Sequence, residues 1–88
     1  MLLNTQIDII IGKNMTVEAL ISEVKALADE CVMKYKDECL EMSDGLLTAY
    51  LVSLLPQQHL NLFYWNQSKM LRIFRERAKE SIEWLNTE

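Results

Sequence analysis

Hydrophobic positions recur at helical spacing over most of this chain. From Val17 to Met42 the apolar set is Val17, Leu20, Ile21, Val24, Leu27, Ala28, Cys31, Val32, Tyr35, Cys39 and Met42. At 100° per residue these positions form a stripe about 140° wide, the mark of a helix with one buried face. The other side carries Glu18, Glu23, Lys25, Asp29, Glu30, Lys36, Asp37 and Glu41, with Glu30 and Lys34 placed as an i,i+4 ion pair. The pattern predicts a helix over 16–43, opened by Thr16 as N-cap with Glu18 in its first turn. Its regular part of roughly 26 residues would be about 39 Å long. That length predicts antiparallel packing along it by the remaining helices or by a partner chain. Glu38 alone breaks the rule, falling on the stripe beside Tyr35 and Cys39.

The stretch Leu46–Leu55 differs in kind. Eight of its ten residues are apolar. As a helix over 45–55 it is apolar almost all round, which requires cover on several sides. Seven large side chains at about 1.5–3 kcal/mol each amount to roughly 10–20 kcal/mol of burial as an upper estimate. Net domain stability is usually about 5–15 kcal/mol, so this segment must be covered by its own chain or by a second copy. Ser43-Asp44-Gly45 reads as the preceding turn, with Gly45 in the left-handed region and Ser43 or Asp44 capping the next helix. Pro56 ends the segment.

Beyond it, Leu60, Phe63, Tyr64, Met70, Leu71, Phe74, Ala78, Ile82 and Leu85 keep one stripe over 57–86, with a candidate break at Asn66-Gln67-Ser68. The segment 1–14 reads either way. Leu3, Thr5, Ile7, Ile9 and Ile11 alternate with Asn4, Gln6, Asp8 and Ile10, which favours an extended arm or strand over a short helix. A lone strand would have to pair with its own copy in a dimer. No repeat, linker or low-complexity tract divides residues 1–88. The expected fold is therefore all-α: one small three-helix bundle with a long first helix and an N-terminal arm, strand or helix, in a dimer.

Charge sharpens the picture a little. The net charge is −4, but residues 1–44 hold nine acids and four bases, while residues 45–88 hold four acids and five bases. An acidic chain is not generally drawn to nucleic acid, although a local basic face can be. Cys31 and Cys39 are the two cysteines. On one continuous helix their Cα atoms would lie about 12 Å apart. A disulfide needs less than about 7 Å, so the reading is two free, buried thiols. Free thiols, an opening segment without a basic start, and no apolar run near the roughly 20 residues of a membrane span lead to an expected cytoplasmic location.

No catalytic constellation emerges, and neither a metal nor a cofactor is implied. His59 is the single histidine and has no acid or nucleophile at a recognisable spacing, so it reads as a surface or capping residue. Cys31, Cys39 and His59 lack the close ligand pairs of a zinc site. Gly12 and Gly45 are too few for a phosphate loop. Two surfaces are suggestive instead. Leu62, Trp65, Ile73, Arg77 and Trp84 lie off the main stripe of the last helix, and tryptophan and arginine are favoured where proteins meet. Trp65, Lys69, Arg72, Arg75 and Lys79 form a basic flank next to an aromatic, able to meet phosphates and bases. Glu76 and Glu83 stand four residues after Arg72 and Lys79 and would neutralise part of that flank. The expected function is a non-enzymatic protein-interaction module: an adaptor, assembly chaperone or inhibitor, paired with another protein or with itself. A nucleic-acid-binding regulator is the alternative.

Overall fold

The computed structural model describes the backbone of residues 2–87 and the side chains of residues 17–87. Four α-helices follow in order: α1 (Leu2–Tyr35), α2 (Asp44–Leu54), α3 (Leu60–Trp65) and α4 (Gln67–Asn86). Short 3₁₀ turns cover Lys36–Leu40 and Gln57–His59, and the described residues contain no strand. The all-α class therefore holds, while the extended reading of the first segment does not. A single strand leaves its N–H and C=O groups without partners, whereas a helix satisfies them internally. The helix is already under way at Thr16, so it does not begin there. The side chains of Asn4, Gln6 and Asp8 lie outside the described residues.

At its other end α1 stops at Tyr35, well short of Ser43. The cause is Lys36, whose φ of 53° puts it in the left-handed region. That conformation ends a helix and is usually given to glycine. It also resets the phase of the stripe, so Cys39 turns into the core and Glu38 turns out to solvent. A lysine there costs about 1 kcal/mol or more that glycine would not. Lys36→Gly is accordingly expected to raise stability by about 1 kcal/mol in urea unfolding. An unchanged or lower midpoint would contradict the left-handed conformation.

Gly45 plays no part in that ending. It lies inside α2, and no described glycine has a positive φ. Ser43 is the N-cap, its Oγ accepting from the Leu46 N–H at 3.2 Å. Leu55 is forced into extended backbone (ψ 143°) by Pro56, and α2 ends before it. Between α3 and α4, Asn66 leaves helical geometry (φ −122°, ψ 29°), and its Nδ2 donates to the Leu62 carbonyl at 2.9 Å.

The core joins Leu20, Val24, Ala28, Cys31 and Val32 of α1 to Leu47 and Leu51 of α2, Phe63 of α3, and Met70, Phe74 and Ala78 of α4. α1 and α4 run parallel. Lys25 lies level with Ile73 and Glu76, Asp29 with Arg77 and Ser81, and Met33 with Trp84. The antiparallel neighbour expected for the long helix is thus not α4. α2 packs against α4, tied by Gln67 Nε2 donating to Thr48 Oγ1 at 2.9 Å and by Tyr50 set edge-on to Phe74 with centroids 6.2 Å apart. One chain does not cover the apolar α2 all round: Leu46 stays 59% and Leu54 48% exposed.

Candidate functional site

The parallel α1 and α4 leave a groove between them, and its polar wall is a fixed ionic cluster. Arg77 grips Asp29 with two parallel bonds, Nε to Oδ1 and a terminal nitrogen to Oδ2, both at 3.0 Å. Ser81 Oγ donates to the same Oδ1, and Glu80 stands 3.9 Å from the guanidinium. The Arg77 hydrogen bond holds the Asp29 carboxyl below its ordinary value of 3.8. Partial burial pulls the other way, and Ser81 again lowers it.

The sign of the pH effect follows from that depression. Asp29 binds its proton more readily in the unfolded chain than in the folded one. Its contribution is therefore present above 3.8 and is lost as pH falls through the lower folded-state value. Both side chains are about two-fifths exposed, so solvent screening limits the effect. With bidentate geometry, Asp29→Asn is expected to cost about 1 kcal/mol near neutrality. Urea unfolding across acidic pH should show the two proteins converging as the acid extreme is approached. A gap that persists undiminished there would contradict the ionic role.

The groove is apolar at its far end. Val32, Met33, Trp84 and Leu85 bound a hollow of about 400 Å³ together with Asp29, Arg77, Glu80 and Ser81. Met33 is 73% and Trp84 63% exposed, two large apolar side chains left at the surface around one hollow. Arg77 and Trp84 were identifiable from the last helix alone. Asp29, Met33 and Ser81 were not. One signal was available: Met33 is a large apolar residue on the face of α1 opposite the stripe, with charged neighbours at Glu30 and Lys34.

The five residues expected to bind a partner do not form one patch. Leu62 and Ile73 are half-buried against the core. Arg77 is engaged by Asp29. Trp65, 86% exposed, ends α3, whereas Trp84 lies at the far end of α4. Nineteen helical residues would separate them by about 28 Å.

Of the basic set, Arg72, Arg75 and Lys79 do meet, around a second groove with Ser68 and Leu71. Acids stand among them. Arg75 pairs with Asp44 at 2.6 Å and donates to the Met42 carbonyl at 3.0 Å, fixing the start of α2. Arg72 lies 3.9 Å from Glu76. Lys69 and Trp65 do not line this groove. Arg75 is thus tied to the start of α2, and Asp44 and Glu76 stand among the cations of this groove.

Two further groups are buried. His59 is inside rather than at the surface, and its Nδ1 meets no partner among the described residues. Cys31 and Cys39 are both free and both 1% exposed. They are also neighbours. Cys31 acts on both the Cys39 thiol and the Tyr50 hydroxyl, and all three side chains belong to the core. Burial first, and then Cys31, pushes the Cys39 thiol up to about 12. Burial, with Cys31 behind it, raises the Tyr50 hydroxyl to about 12 as well.

Among the described residues, no three His, Cys, Asp or Glu side chains are grouped to hold a metal ion, and no helix is long and apolar enough to cross a membrane. No protein-family model, curated protein or solved structure matches the chain.

Proposed function

We propose that this chain is a non-enzymatic interaction module whose working surface is the α1–α4 groove, and that the occupant of the groove is a second copy of the chain. The supporting observation is the exposure of Met33 and Trp84 on either side of a ready-made apolar hollow. Apolar surface rimmed by polar groups is where proteins meet. Tryptophan carries an unusual share of contact energy.

Two features favour a second copy over an unrelated chain. The face carries Lys25 and Arg77 together with Asp29 and Glu80, so it bears both signs of charge, as a face that meets its own copy requires. Its size also suits a dimer. α4 is 20 residues long, and two helices side by side over that length present a face about 30 Å by roughly 20 Å. A stable interface needs about 800 Å² of accessible surface per partner, which such a face approaches.

The test is sedimentation equilibrium over the micromolar range. A reversible monomer–dimer equilibrium is expected. A chain that stays monomeric up to hundreds of micromolar, or that assembles beyond a dimer, would overturn the proposal.

A further inference from the structure

We infer that the two copies lie parallel, related by a two-fold axis along the groove, so that each Trp84 seats on Met33 of the other copy and each Lys25 on Glu76 of the other copy. This rests on the groove being the contact between copies. Two ladders of side chains carry it. Lys25, Asp29 and Met33 follow at intervals of four along α1, and Glu76, Glu80 and Trp84 do so along α4. Because the two helices run parallel, the ladders stay in step. Lys25 and Glu76 line one hollow of about 220 Å³, and Met33 and Trp84 line the larger one. Between them stands the rung of Asp29, Arg77 and Glu80. The groove is thus charged at one end and apolar at the other, the ends lying eight residues or about 12 Å apart on either helix.

A two-fold axis lying in such a face can run in two directions. Along the helices, it sets α1 of each copy over α4 of the other and keeps every level. Apolar end then meets apolar end, and each Lys25 meets an acid. Across the helices, it reverses the levels. Met33 and Trp84 would then press on the charged end of the other copy, withdrawing Lys25 and Glu76 from water with no polar group opposite them. That desolvation is the cost the first arrangement avoids.

The groups are free to pair in this way. The contact of Glu76 with Arg72 spans 3.9 Å between side chains about two-thirds exposed, so it holds little. Lys25 pairs with no acid among the described residues. A thioether set against an indole is itself a favourable contact.

The experiment uses the full chain in two variants, Lys25→Glu and Glu76→Lys, both at exposed positions. One is labelled with nitrogen-15, the two are unfolded and refolded together at about 0.15 M salt, and native mass spectrometry counts the pairs. Alone, each variant sets like charges opposite each other twice per dimer and should dimerise about ten-fold more weakly than the parent. Mixed, each introduced charge meets its opposite, and mixed pairs should form about nine-tenths of all dimers instead of the half that chance gives. Lys25→Glu mixed with Glu41→Lys carries the same net charges, but Glu41 lines neither hollow, so that mixture should pair at random. A parent chain that stays monomeric overturns this inference together with the reading it rests on. Random pairing of Lys25→Glu with Glu76→Lys, from a parent that dimerises, overturns the parallel arrangement alone. So does an equal preference in the Glu41→Lys mixture.

Discussion

Replacing Phe74 with alanine is expected to remove about 3–5 kcal/mol of stability, a large part of what a domain of this size possesses. Phe74 is fully buried in the middle of α4, where the stripes of α1 and α2 meet. The ring of Tyr50 stands edge-on to it at 6.2 Å, so truncation would also take away an aromatic contact. The neighbouring helices are pinned by Arg77–Asp29 on one side and by Arg75–Asp44 on the other. Urea unfolding followed by far-UV circular dichroism measures the loss. Trp65→Ala, at a side chain 86% exposed, should stay within about 0.5 kcal/mol of the parent in the same assay. If Phe74→Ala cost under about 1 kcal/mol, the proposed centre of the core would be misplaced.

The residues that make Phe74 central were legible because they obey one local period. Val24, Ala28, Cys31 and Val32, and equally Met70, Phe74 and Ala78, repeat at three and four, and all of them are buried. What failed was punctuation. Gly45 looked like the helix stop because glycine pays nothing for positive φ, yet the structure gives that conformation to Lys36. Packing decided the matter: Cys39 had to reach the core, and no local propensity records that demand. The first segment failed for a related reason. Its isoleucines alternate, but Leu3, Ile7, Ile10 and Ile11 also recur at helical spacing, and without a neighbouring strand only the helix can satisfy the backbone. The groove was half legible. Trp84 and Arg77 stood out as residues with no place on the main stripe. Asp29 lies 48 positions from Arg77, and only the parallel arrangement of α1 and α4 brings the two together.

That arrangement also fixes how the proposed dimer should respond to mutation. Trp84→Ala is expected to weaken self-association by about 2 kcal/mol, roughly thirty-fold in Kd. Trp84 is more than half exposed in the single chain, so removing it should leave helicity and the unfolding midpoint almost unchanged. Met33→Asp should act in the same direction, because it places a charge opposite the indole in a contact that excludes water. A control separates this face from the other exposed apolar one. Leu46 and Leu54 lie eight residues apart on α2, and Leu46→Asp should leave the dimer intact if the α1–α4 groove is the contact. Sedimentation equilibrium of the three variants decides between the faces. A dimer lost in Leu46→Asp but kept in Trp84→Ala would move the interface to α2. Because α2 is the segment whose apolar circumference first called for outside cover, that outcome would give the second copy a different seat while keeping its reason for binding.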